Sequence, residues 1–144
     1  MGRNVFPRRL RLTRPAQFKR VFASSRTSND RYFRVLARAN HLDHARLGLA
    51  ISTRVCKHAV GRNRIKRLVR ESFRAHQHVL ATARGDRGGV DLVVLPTRHA
   101  ATMCNRELMK SLAHHWRRCV HPRSSDSERS GRNRNGQHQQ EGKY

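Results

Sequence analysis

The stretch from Gly61 to Arg74, GRNRIKRLVRESFR, constrains this chain most, because at helical spacing its cations and its apolar residues part onto opposite sides. At about 100° per residue, Arg62, Lys66, Arg70 and Arg74 follow one another in steps of about 40°, with Asn63 and Arg67 in the same arc. Ile65, Leu68, Val69, Ser72 and Phe73 fill the remainder. Such a helix docks on a domain by one side and turns guanidinium groups outward on the other. A solvated face of mixed sign is the ordinary alternative. Here, from Arg54 to Arg74, eight basic residues meet one acid, Glu71, whereas an exposed helix usually intersperses charges of both signs. The ridge therefore reads as a phosphate-binding surface.

The rest of the chain supports a polyanionic partner. The 144 residues suffice for one domain, and 32 Lys and Arg against 9 Asp and Glu give a formal charge of +23. Such self-repulsion is tolerable when a nucleic acid is usually bound. No apolar run approaches the roughly 20 residues needed to span a membrane, and Met1 to Leu12 is too basic and interrupted for a signal peptide. A cytoplasmic protein without a membrane partner is expected. Arginine outnumbers lysine 27 to 5, which favours bidentate phosphate binding and stacking on bases.

The charge sits on a folded body rather than on the tail. Residues 1–120 read as a single RNA-binding domain with a basic N-terminal arm, and residues 121–144 as a disordered polar tail without periodicity. Five basic and three acidic residues leave that tail only +2, so the body carries +21. The tetrapeptide Gly131-Arg132-Asn133-Arg134 repeats Gly61 to Arg64 inside the tail, so the tripeptide alone carries no signal.

Hydrophobic patterning places the elements. Pro15 to Phe22 is a short helix with Phe18, Val21 and Phe22 on one face. Tyr32–Ala39 and Leu47–Ser52 alternate as strands, and the polar stretch Asn40 to Ala45 between them suggests a hairpin. Ser24 to Asp30 breaks the pattern. After the basic connector Thr53 to Ala59, the charged helix should run from about Val60 to Leu80. Gly85, Gly88 and Gly89 mark a loop, and Val90 to Leu95 is a continuous apolar run, expected at the centre of the sheet. Asn105 to Cys119 forms a last helix with a core stripe of Leu108, Met109, Leu112 and Trp116.

Catalytic chemistry is poorly supported by composition. The body's carboxylates, Asp30, Asp43, Glu71, Asp86, Asp91 and Glu107, are too scattered for a metal-dependent nuclease. The histidines show no spacing for general acid and base work, and no phosphate-binding G-x-x-x-x-G-K-[ST] loop is present. Cys56, Cys104 and Cys119 are odd in number and lack C-x-x-C spacing, so reduced thiols are expected. His115 and Cys119, with His114 and His121 nearby, lack a second ligand pair for zinc. No catalytic or metal-ligating residue is assigned. Phe18 and Phe22 read by default as core, with stacking on unpaired bases as the alternative.

These residues carry a family resemblance. Arg62 to Arg74 resembles the signature helix of the bacterial ribonuclease P protein subunit. Leu10-Arg11-Leu12 with Phe18 and Val21-Phe22, then Arg46 to Ser52, Val90 to Leu95 and Asn105 to Arg118 resemble further blocks of that family in the right order, over roughly residues 8 to 119. The resemblance implies an α/β (α+β) two-layer sandwich of order αβββαβα, similar to the second domain of ribosomal protein S5, with a left-handed βαβ crossover. That handedness is rare, since such crossovers are right-handed in about 98% of cases. It also implies a subunit of a ribonucleoprotein endoribonuclease that removes the 5′ leader of precursor tRNA. A catalytic RNA with Mg²⁺ would perform the hydrolysis, with no DNA partner. Carried over by position, Arg62, Asn63, Arg64, Lys66, Arg67, Arg70 and Arg74 would face the RNA subunit. Phe18 and Phe22 would line the cleft for the single-stranded leader, with Phe33 and Arg54 as further candidates. Thr53-Arg54 stands where the family commonly has two lysines, which leaves one charge at the cleft edge. A structural or ribosomal RNA-binding protein is the alternative from another class.

Overall fold

The computed structural model describes residues 7–81 and 89–120. The expected tail and the glycines at 85 and 88 lie outside these residues. Helix α1 (Pro15–Ala23) is followed by strands β1 (Arg26–Asn29), β2 (Phe33–Ala39) and β3 (Arg46–Leu49). Then come α2 (Ala59–Ala75), α3 (Gln77–Ala81), β4 (Val90–Pro96), α4 (Arg98–Thr102) and α5 (Asn105–Val120). This is the expected α+β architecture, with two five-residue helices, α3 and α4, interposed.

Local chemistry explains the boundaries. Pro15 opens α1, and Gln17 Oε1 accepts from the backbone amides of Thr13 at 2.7 Å and Arg14 at 2.9 Å, pairing two donors at the helix start. The charged helix is shorter than expected. At His76 the backbone leaves the helical region with φ −109° and ψ 12°, and its Nδ1 donates to Ser72 O at 2.8 Å. That cap separates α2 from α3.

The sheet corrects the expected hairpin. Its strand order is β1-β2-β4-β3, so β2 and β3 do not pair. Strand β4 lies between them, antiparallel to β2 (Val35 opposite Val94) and parallel to β3 (Leu47 opposite Leu92). Val90 to Val94 are buried, so this run needs a neighbour on each side. Asn40 to Ala45 is long enough to carry the chain across two strand spacings, about 10 Å. Strand β1 pairs antiparallel with β2 within the stretch expected to be irregular. Of RTSN only Ser28 is buried, so no apolar alternation marks this edge strand.

The pleat sorts the two sides of the sheet. Phe33, Val35, Ala37, Leu47, Leu92 and Val94 join Ile65, Leu68, Val69 and Phe73 of α2 and Leu108, Leu112 and Trp116 of α5 in the main core. Leu36 and Val93 turn the other way and pack with Leu12 and Val21 beneath α1. Helices α2 and α5 thus cover one face, while the nine-residue α1 spans only part of the other.

Candidate nucleic-acid interfaces

Helix α2 divides as its sequence requires. Ile65, Leu68, Val69, Ser72 and Phe73 are buried; the Phe73 ring meets Trp116 edge to face at 6.2 Å, and Trp116 Nε1 donates to Ser72 Oγ at 2.8 Å. On the opposite side Asn63, Arg67 and Arg70 are exposed and Lys66 and Arg74 are half-buried, none with a hydrogen-bond or ion-pair partner among the described residues. Glu71, exposed on α2 itself, forms no ion pair with them, and the other acids among the described residues are engaged elsewhere. Asp91 holds Arg46, Asp43 lies by His44, Asp30 lies by His115, and Glu107 reaches Lys110 at 3.9 Å.

Two arginines of the motif are used differently. Arg64 donates from Nε to Asn105 Oδ1 at 2.8 Å and from its terminal nitrogen to the carbonyl of Met103, tying α2 to the α4–α5 junction. Arg62 donates to the carbonyls of Cys56 at 2.9 Å and Lys57 at 2.8 Å, fixing the connector that precedes the helix. Equal spacing in the sequence conceals this division, because a guanidinium can satisfy carbonyls as readily as phosphates.

The aromatic candidates also divide. Phe18 is half-buried on the α1 side of the sheet, packed against the cluster of Leu12, Val21, Leu36 and Val93. A Cβ on Gly48 would approach the Phe18 ring to 2.6 Å, so the missing side chain seats that ring against β3. Phe22, four residues on, is 52% exposed. Phe33 must be withdrawn from this cleft. It is fully buried in the main core on the opposite face, edge to face with His115 at 6.3 Å, where an RNA cannot reach it.

The pleat puts Arg34 and Leu36 of β2 on the α1 side instead, with Arg34 exposed and opposite Leu95 of β4. The sequence reading missed Arg34, although period-two alternation from Phe33 was the signal that could have found it. Arg38 shares that face but donates to the carbonyl of Arg20 in α1 at 2.9 Å. Arg46 forms a two-pronged pair with buried Asp91, at 2.8 Å and 2.7 Å, which raises its pKa through that hydrogen-bonded pairing despite desolvation. Arg54 is exposed in the turn that leaves β3.

A separate polar cluster joins β1 to α5. Ser28 Oγ and His115 Nδ1 are 2.7 Å apart, and His115 Nε2 lies 3.2 Å from Asp30 Oδ1 without the alignment of a hydrogen bond. Burial depresses the His115 pKa, against the attraction of Asp30. The Asp30 carboxyl feels burial pushing its pKa up, but hydrogen bonds from Ser111 and the amides of Phe33 and Tyr32, with the charge attraction of His115, leave it lowered. His115 is buried completely, so the cluster is a structural tether. Among the described residues no three His, Cys, Asp or Glu side chains gather to hold a metal ion.

The family model of Ribonuclease P matches residues 6–120 of this chain, a span that includes α2 with its arginines and α1 with Phe18 and Phe22. The chain belongs to the ribonuclease P protein family. It is 40% identical to the ribonuclease P protein component of Vibrio cholerae (strain N16961) over 122 residues, 85% of this chain and 98% of that one. The Methylococcus capsulatus (strain Bath) component is 45% identical over 118 residues, 79% of this chain and 87% of the relative. Among solved structures, the ribonuclease P protein of Thermotoga maritima superimposes with a TM-score of 0.64 at 28% identity, covering 75% of this chain and 96% of the other. That of Staphylococcus aureus gives 0.62 at 30% identity, covering 73% and 90%.

Proposed function

We propose that this chain serves in ribonuclease P as the protein that docks on the catalytic RNA through α2 and receives the 5′ leader of precursor tRNA in the cleft beside Phe18 and Phe22. One observation carries the reading: uncompensated cations on α2 and the exposed aromatic of α1 lie on opposite faces of one sheet. The two surfaces suit two different RNA ligands. Arg67 and Arg70, with Asn63, Lys66 and Arg74 beside them, would replace counterions along phosphates of the RNA subunit. Phe22 would meet an unpaired base, with Arg34 and Arg54 in reach of the leader backbone.

Family membership supports a part in a ribonucleoprotein endoribonuclease, and among the described residues no three His, Cys, Asp or Glu side chains gather to hold a metal ion. Mg²⁺, held mainly by the RNA, supplies the hydrolytic chemistry; the protein binds, orients and neutralises. No helix among the described residues is long and apolar enough to cross a membrane. A cytoplasmic complex of protein, catalytic RNA and precursor tRNA, without DNA, follows from this reading.

Reconstitution tests it. Full-length protein with its catalytic RNA should release the leader at the mature 5′ end at lower Mg²⁺ than the RNA alone. An unchanged Mg²⁺ titration would defeat the proposal. Affinity that does not depend on leader length would instead favour a structural RNA-binding protein, which has no reason to sense nucleotides 5′ of the cleavage site.

A further inference from the structure

Helix α5 carries a second basic ridge. Arg106, Lys110 and Arg117 are exposed, with exposed His114 alongside, at spacings that bring them onto one side of the helix. Leu108, Ser111, Leu112, His115, Trp116 and Cys119 occupy the opposite, buried side. Arg106 and Arg117 have no hydrogen-bond or ion-pair partner among the described residues, and Lys110 has only the 3.9 Å approach of Glu107. An exposed pair of that length contributes little.

The two helices run side by side in the same direction. Arg64 meets Asn105 near their starts, while Ser72 and Phe73 meet Trp116 further along. Both bury their inner sides in the same core, so both basic ridges turn away from the sheet. From Asn63 to Arg74 and from Arg106 to Arg117, each ridge extends about 16 Å. Packed helices lie about 8–10 Å apart. The outer surface of this layer is therefore a two-track cationic platform.

We propose that the platform docks a double-helical segment of RNA, with α2 along one phosphate strand and α5 along the other. A single strand would be served by one track. Two parallel tracks suit the wide, shallow minor groove of an A-form helix, which proteins recognise by shape and backbone rather than by sequence. The inference rests on the proposed docking of the RNA subunit through α2, and extends that dock to a helix to which nothing above assigned an RNA contact.

The test uses the full-length protein and the catalytic RNA. One variant combines Arg106→Gln, Lys110→Gln and Arg117→Gln; a second combines Arg67→Gln and Arg70→Gln. The affinity for the RNA subunit is measured across a salt series. The α5 variant should flatten the dependence of log K on log salt by about 2 to 3, near one per lost phosphate contact, and the α2 variant by about 2. A flatter slope for α2 alone overturns the α5 proposal and leaves the α2 dock standing. Unchanged slopes for both overturn the dock itself. A short RNA duplex should compete with the RNA subunit better than a single strand of equal length, and should lose that advantage on the α5 variant. Equal competition on the unaltered protein overturns the double-helical partner. The preference for precursor over mature tRNA should not change in the α5 variant; a changed ratio would assign the stripe to substrate and overturn the proposal.

Discussion

The two faces of the sheet use the same residue types for opposite ends. On the helical face, Phe33, Phe73 and Trp116 are buried, and Arg67 and Arg70 of α2 and Arg106 and Arg117 of α5 stand without hydrogen-bond or ion-pair partners among the described residues. On the α1 face the relation is reversed. Phe18 and Phe22 remain half-buried and exposed, while Arg38 and Arg46 are spent on the Arg20 carbonyl and on Asp91. The pleat and the helix period decide which task a phenylalanine or an arginine performs. On the proposed function, one face serves phosphate and the other unpaired bases.

The largest effect should come from removing what both faces rest upon. Trp116 fills the seam between α2 and α5 and satisfies its own N–H through Ser72. Trp116→Ala should cost about 3–5 kcal/mol, read as a lowered denaturant midpoint, with RNA docking and leader preference declining together. Loss of one without the other would show that the faces fold independently.

Next in size, Arg64→Ala and Arg67→Ala separate a strut from a phosphate reader within one motif. Arg64→Ala removes two charge-assisted hydrogen bonds to the α4–α5 junction. It should destabilise by about 1.5–3 kcal/mol while leaving the salt slope of RNA binding unchanged. Arg67→Ala should do the reverse, flattening the slope by about 1 without moving the unfolding midpoint. A flattened slope for Arg64→Ala would return that arginine to the RNA surface.

This division shows where sequence patterning reaches its limit. The amphipathic period of α2 and the continuous apolar run of β4 are local, and both elements stand where their patterns require. The apolar pattern nonetheless continues past the break at His76, and only the backbone angles there mark the stop. Strand β1 carries no apolar alternation, and the position of β4 between β2 and β3 is a long-range choice that the β2–β3 loop permits but does not announce. The assignment of Phe33 to the cleft failed for the same reason. Its side of the sheet depends on which helices cover which face, and alternation alone leaves that sign open.

A smaller and more selective effect belongs to the cleft. Phe22 is half-exposed, so Phe22→Ala should leave stability nearly unchanged and cost about 1–3 kcal/mol of binding to precursor tRNA, the range for one stacked base. Mature tRNA should bind as before. Phe18→Ala is a poorer probe, because Phe18 also packs on Leu36 and Val93 beneath α1. Equal losses for precursor and mature tRNA with Phe22→Ala would remove the base-stacking role.

The smallest effect concerns the tether between β1 on the sheet edge and α5 on the helical side. Burial holds the His115 pKa below its ordinary 6.5, so the unfolded chain binds a proton before the folded protein does. Its contribution is therefore full well above pH 6.5 and declines as pH falls from there toward the folded pKa, by at most about 1.4 kcal/mol per pH unit for one proton. Asp30, held below its ordinary 3.8 with Ser111 and two amides outweighing burial, contributes in a separate window; its share persists above 3.8 and is lost as pH falls through the lowered value. Between about pH 8 and pH 5 the slope should follow His115. Compared with the unaltered protein, His115→Gln should start less stable and vary less with pH across that range in thermal melts. Amide exchange should rise in β1 before it rises in β4, because β1 is an edge strand held to α5 through Ser28, whereas β4 is paired on both sides. Identical pH dependence in the two proteins would assign the slope to other groups and leave the tether without a titrating role.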